Sequence, residues 1–550
     1  MSPTRQPYPS LDELDAFVSD LATRLSEWVE VVEIGRSLQG RSIGLVTLGR
    51  RDGGRDHRPA FWLDAGTHCA EWAGVSAAVD AMERWTQGLS DGGEMADWLS
   101  EHTIHVVPCI SPDGYAAMLA GAPYTRSTLR PPPKGALRVG WSPQDMDGDS
   151  VVRLLRWRHP AGAFVVDEDE PLHMRMRRLQ DDPDDAFFVA EEGQFVNWDG
   201  TRWTGAPREF GLDLNRNFPG SWRPFSMFGM DAGAFPGSAP EARAVLDALH
   251  ARPQVSAAIT LHTFTGALLT APYRANGPLS EADQMLMGAL AEDAVEGTGY
   301  DAIAVHPNFT YDPKNPIGGV WADTLATVFG VAGFTLEIWD PFGPAGVKPE
   351  SVARFFRSPE PEVLLGLVRH YADQPGTRPW TAFDHPQLGA VEIGGLELQR
   401  TVRNPPEAAL PAELDRVFTI VDRARRALPQ VRCRCVARSL GSENIELQVI
   451  FENAGFLNTG GLAHAETVAR VPGLRMEVVD VNGVVVDVRD VGHLDGWGAT
   501  RVGAGAMPLM PGLPKRGHRA VETVVVTGQG PWTVRWQSTR SGRGAVVVTP

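Results

Sequence analysis

The apolar stretch Ala60-Phe61-Trp62-Leu63-Asp64-Ala65-Gly66-Thr67 runs straight into His68-Cys69-Ala70-Glu71 and then into a helix-like pattern. This junction constrains the chain more than any other feature. A strand that ends where a helix begins lifts a His and a Glu, three residues apart, off the end of the sheet, where both can point at one ion. Three later segments add to it. Gly211-Leu212-Asp213-Leu214-Asn215-Arg216-Asn217-Phe218-Pro219 puts two amides and an Arg in one turn, groups that a buried core accepts only with partners. Ala257-Ala258-Ile259-Thr260-Leu261-His262-Thr263 is an apolar strand ending in His, and Gly333-Phe334-Thr335-Leu336-Glu337-Ile338-Trp339 sets a carboxylate inside an apolar strand.

Catalytic zinc sites take three protein ligands, two His and one Glu among the established sets, and keep a fourth position open for water. His68, Glu71 and His262 supply such a set. A further carboxylate that is not a ligand is then needed to take a proton from the activated water, and Glu337 is the candidate general base.

With these residues in view, the chain resembles the zinc carboxypeptidase family, the carboxypeptidase A-like metallopeptidases. The matches are Gly66-Thr67-His68-Cys69-Ala70-Glu71-Trp72, Ser111-Pro112-Asp113-Gly114-Tyr115, Asp213-Leu214-Asn215-Arg216-Asn217-Phe218, Leu261-His262-Thr263 and Thr335-Leu336-Glu337, in the family's order over about 270 residues. The resemblance implies one Zn2+ per chain and a peptide or amide substrate with a free C-terminal carboxylate. It implies that Asp213 accepts a hydrogen bond from the far ring nitrogen of His68, and that Asn215 and Arg216 clamp the substrate carboxylate, a task that suits a planar guanidinium. It also implies an Arg that polarises the scissile carbonyl. The family's spacing reaches Arg126, with Arg130 as competitor. Tyr311 lies close to the place of the family's mobile Tyr. In two respects the chain departs from the family: Ala70 stands where an Arg often precedes the ligating Glu, and the specificity pocket falls near Val320-Trp321-Ala322-Asp323, which spells out no side-chain preference.

At 550 residues the chain exceeds one ordinary core, so more than one domain is expected. A net charge of −17 argues against nucleic acid as partner, because such binding rests on clustered Lys and Arg. No apolar run near 20 residues points to a membrane, and the first residues lack an apolar leader, so the expectation is a cytoplasmic protein. Cys69, Cys109, Cys433 and Cys435 are too few and too unevenly spaced for a disulfide framework. Cys69, between two candidate ligands, stands out as a possible oxidation or inhibitor site.

The alternation of strand-like and helix-like runs predicts an α/β fold, a mixed, mostly parallel sheet flanked by helices, followed by a smaller β-sandwich-like domain. The expected division is a catalytic domain over 8–375 with an insertion over about 116–210, a linker and helix over 376–430, and the β domain over 431–550. The insertion reads as a rim or lid, and its cluster Asp145, Asp147 and Asp149 as a turn rather than a calcium loop, the Gly being misplaced for the latter. The function expected is a zinc-dependent metallocarboxypeptidase that removes C-terminal residues. Its rivals are a zinc amidohydrolase acting on cell-wall peptides or N-acyl amino acids, and a non-catalytic binding protein on a peptidase scaffold.

Overall fold

The structure, a computed structural model, describes residues 6–130, 138–206, 212–224, 226–227, 230–311, 317–355, 358–441, 443–504 and 517–549. Gly211, the first residue of the Asn-Arg turn, lies outside them.

At the centre is an eight-stranded sheet in the order Val29–Arg36, Ser42–Leu48, Thr103–Val107, Ala60–Ala65, Val255–Thr263, Ala332–Ile338, Ala267–Thr270, Asp301–Ala304. Its middle is parallel and its flanks carry antiparallel pairings. Strand periodicity explains why both faces are buried. Phe61, Leu63 and Ala65 enter one core while Ala60 and Trp62 enter the other, and Ala257, Ile259 and Leu261 alternate with Ala258 in the same way. Helices Leu11–Arg24, Trp72–Thr86, Glu281–Val295 and Leu410–Arg425 cover the first face; Pro240–His250 and Trp321–Thr327 cover the second. The first helix opens on a capping box, with the Ser10 hydroxyl accepting from Glu13 N (3.2 Å) and the Glu13 carboxylate accepting from Ser10 N (2.8 Å).

The insertion forms strands of its own. Leu154–Arg158, Phe164–Val166, Met174–Met176 and Phe187–Glu191 belong to a six-stranded sheet whose other two strands are Arg378–His385 and Gly389–Gly395. The expectation of a linker beyond residue 376 is therefore corrected: the hairpin over 378–395 completes the insertion's sheet, with Glu392 and Ile393 in register with Arg156 and Leu155. Neither half can satisfy its edge without the other. The aspartate cluster sits at the same junction, where Arg378 pairs with Asp147 and Asp149 and Arg153 pairs with Asp149, while Asp145 accepts from Gly148 N and Ser150 N.

Beyond residue 430, a three-stranded and a four-stranded antiparallel sheet pack face to face through Leu447, Val449 and Phe451 of one and Met476, Val478 and Val534 of the other. This is the predicted β-sandwich arrangement. Arg540, in the turn between its last two strands, donates to Phe329 O (2.6 Å), Gly330 O (2.7 Å), Gly460 O (2.9 Å) and Pro253 O (3.2 Å), which ties the sandwich to the loop leading into Ala332–Ile338. Among the described residues no helix is long and apolar enough to cross a membrane.

Candidate metal centre

Three neighbouring parallel strands, Ala60–Ala65, Val255–Thr263 and Ala332–Ile338, end at the same edge of the sheet, the usual place for a site in an open α/β sheet. His262 and Glu337 occupy facing register positions on the last two. His68 follows the first by three residues, and Glu71 stands at the N-cap position of the helix Trp72–Thr86 with its carboxylate turned to the two His rings instead of the helix end. Two constraints hold the turn between them: the Ala70 carbonyl accepts from Gln399 Nε2 and from Asn404 Nδ2 (2.9 Å), and Ala73 N donates to Asn404 Oδ1 (3.0 Å).

His68 Nδ1 lies 2.8 Å from Glu71 Oε1, His262 Nδ1 lies 2.9 Å from Glu71 Oε2, and the two Nδ1 atoms are 3.0 Å apart. All three side chains are buried. His68 Nε2 faces Asp213 Oδ1 at 3.1 Å, and since a carboxylate only accepts, that nitrogen carries the proton and Nδ1 presents a lone pair. Two ring nitrogens and a carboxylate this close, away from water, call for a positive centre between them. A His2Glu donor set of this kind fits zinc. Although burial pushes the Glu71 carboxyl up, His68 and His262 overcome it and hold it well below the usual carboxylate range.

Asp213 serves as both turn-former and His partner. Its Oδ1 accepts from Asn215 N (2.9 Å) as well as His68, and its Oδ2 accepts from Arg126 Nε (2.9 Å). Burial disfavours its charge, but Arg216, Arg126 and His68 hold the carboxyl well below its ordinary value. Arg126 reaches this position because Gly114 lets the segment around Ser127 close in: a Cβ on Gly114 would lie 2.2 Å from Ser127 O. Arg130 points elsewhere, paired with Glu241 at 2.8 Å.

Asn215 and Arg216 are buried beside Asp213. The Asn215 side-chain oxygen accepts from Trp321 N (2.8 Å), which leaves its amide nitrogen free of that bond, and Arg216 Nη1 donates to Asn215 O (2.6 Å). The segment expected to line the specificity pocket thus supports Asn215, and its Asp323 is buried 3.7 Å from Arg274. Asn217 plays a purely structural part, donating to Ala232 O and Phe235 O and accepting from Ala239 N. Tyr311 is half-buried, with its phenol raised by burial and opposed by the nearby charges of Arg126 and Arg216. Glu337 keeps part of its surface open; burial pushes its carboxyl up to about 7, with Glu71 adding to the rise and His262, Arg126 and Arg216 opposing it. Cys69 is fully buried, donates to Thr125 O (3.0 Å), and has its thiol pushed well up by burial, which corrects the reading of it as a reactive position.

All nine residues singled out in the sequence therefore gather in one region. What sequence reasoning missed are the clamps Gln399 and Asn404 from outside the motifs, and the support that the Trp321 main chain gives Asn215. No local pattern marks them, since each acts through a fold contact with a distant segment.

Fold and site together define a metal-site protein built on a mixed α/β sheet. The sequence profile described as Zinc carboxypeptidase matches residues 14–147 and 183–345, together more than half of the 550 residues. The chain belongs to the zinc carboxypeptidase family. It is 35% identical to carboxypeptidase B of Astacus astacus over 109 residues, 20% of this chain and 34% of that protein. It is 29% identical to carboxypeptidase A1 of Bos taurus over 109 residues, 20% of this chain and 25% of that protein. The chain thus spans about a third or less of the length of these curated relatives. Among solved structures, the carboxypeptidase A from Helicoverpa armigera aligns over 67% of this chain and 76% of its own, with 17% identity and a TM-score of 0.41.

Proposed function

We propose that the chain is a zinc-dependent carboxypeptidase that hydrolyses the C-terminal peptide bond of peptides. The observation that carries this reading is the convergence of His68 Nδ1, His262 Nδ1 and the Glu71 carboxylate beside Glu337 and the Asn215–Arg216 pair. When bound by these three ligands, zinc supplies Lewis acidity that makes a water nucleophilic near neutral pH and polarises a carbonyl.

The remaining steps belong to the chain's own groups. Arg216 and Asn215 hold the free carboxylate of the substrate, which sets the last peptide bond over the site. Glu337, whose burial lifts it towards neutrality, takes the proton from the attacking water and passes it to the departing amine. Arg126 donates to the oxygen that gains charge as the carbonyl carbon becomes tetrahedral, and Asp213 keeps both Arg126 and His68 in position. Tyr311 closes the substrate side.

The test is a pair of peptides that differ only in a free or amidated C-terminus. Only the first offers a carboxylate to Arg216, so its kcat/KM should exceed that of the amide by about 100-fold or more. Equal rates would remove the exopeptidase reading.

A further inference from the structure

A cavity of about 350 Å³ lies between Trp72, Tyr124, the insertion residues 150–154 and residues of the segment 396–403. Two of its lining residues connect it to the site. Trp72 directly follows the ligand Glu71, and Tyr124 lies within the field of Arg126. Two guanidinium groups line it. Arg403 lies over the Tyr124 ring at 4.0 Å from the centroid, and Arg400 lies 5.7 Å from that of Trp72.

Neither guanidinium forms an ion pair with a described carboxylate; the closest polar contact of Arg403 is the neutral Gln399 Oε1 at 3.4 Å. Two carboxylates, Glu191 and Glu397, also line the cavity; Glu397 lies in the field of Arg400 but accepts its hydrogen bonds from backbone donors, Gln399 N at 3.0 Å and Arg400 N at 2.6 Å. Arg153, the cavity's third guanidinium, is spent on Asp149 and Gly376 O. Trp72 is buried, and its indole N–H has no acceptor among the described residues. In a chain of net charge −17, two uncommitted guanidinium groups in one cavity stand out. An aromatic face under each leaves the N–H edges for a planar acceptor, and the acceptor that matches that edge is a carboxylate.

We propose that this cavity is an outer subsite for the acyl part of the substrate, and that it takes an acidic side chain whose carboxylate is bound by Arg403 with Arg400. The inference rests on the peptidase reading above. A substrate whose scissile carbonyl meets Arg126 leads its preceding residues past Tyr124 into this space. The groups that build the subsite come from the insertion and from the segment 396–403.

The experiment uses the full zinc-loaded chain and N-terminally blocked peptides with one Glu, or its neutral isostere Gln, at the first to fourth residue before the scissile bond. At one of these positions Glu should be preferred over Gln by about tenfold in kcat/KM, and added salt should shrink that ratio. Arg403→Ala should bring the ratio close to one and Arg403→Lys should restore part of it, with thermal unfolding of each variant confirming a folded chain. Equal rates for Glu and Gln at every position, or a preference that survives Arg403→Ala, would overturn the subsite. If the zinc-loaded chain cleaves none of the peptides, the peptidase reading has failed instead. Calorimetric binding of the same peptides to wild type and Arg403→Ala then decides the subsite alone: tighter binding of a Glu peptide, lost in the variant, supports it, and equal binding overturns it.

Discussion

The metal centre and the C-terminal sandwich are both buried, yet they are buried with opposite chemistry. Around the centre, His68, Glu71, Asp213, Asn215, Arg216 and His262 are all shielded from water and each touches another polar member of the group or the main chain, while His262 Nε2 has no partner among the described residues. The sandwich core is Leu, Val, Ile, Phe, Met and Trp, with Cys433 and Cys435 as half-buried apolar fillers on one strand face. Burying charge is unfavourable unless it is paired, and an apolar core of equal volume would be the more stable choice. Under the proposed function the charged group is where the chemistry takes place, and the sandwich is expected to contribute stability.

The substitution with the largest expected effect is Glu337→Gln. It should lower kcat by about 10²–10⁴-fold while zinc content and thermal unfolding stay at wild-type values. A variant that keeps its turnover would take the general-base role away from Glu337. The opposite test lies in the sandwich. Leu447→Ala should cost about 3 kcal/mol in denaturant unfolding, with kcat of the folded, zinc-loaded chain unchanged. An equal loss of kcat would mean that the sandwich shapes the site.

A smaller effect is expected from Asp213→Asn. An amide can offer its NH2 side to His68 and loses the charge that orients Arg126, so zinc affinity, read by competition with a chelator, should fall about 10–100-fold. Unchanged affinity would reduce Asp213 to a turn residue. The smallest is a pH effect outside the site. Burial lowers His102 from 6.5 to about 4, so the folded chain binds fewer protons than the unfolded one between these values. Stability held above pH 6.5 should be lost as the pH falls towards 4, and His102→Gln should flatten that slope. An unaltered slope would show that other groups govern the acid limb.

The centre was legible in the sequence because its residues sit where periodicity breaks: a His and a Glu at a strand-to-helix junction, a His closing an apolar strand, and a carboxylate where an apolar side chain would pack. Arg126 and Arg130 look alike in the sequence, since both lie in irregular backbone; in the fold Glu241 holds Arg130, while Arg126 pairs with Asp213. The strand pairing of Gly389–Gly395 with Leu154–Arg158 was hidden for a different reason. Register between segments so far apart is set by the completed sheet and not by local pattern. Arg540 was equally opaque: it anchors the sandwich through main-chain carbonyls, which any sequence offers.

The most direct test of the account is zinc content per chain, measured together with the trimming of a mixed peptide library before and after chelation. The account predicts about one zinc per chain and release of single C-terminal residues that stops on chelation and returns with zinc. A fully zinc-loaded chain that leaves every peptide intact, or trimming that chelation does not touch, would contradict it.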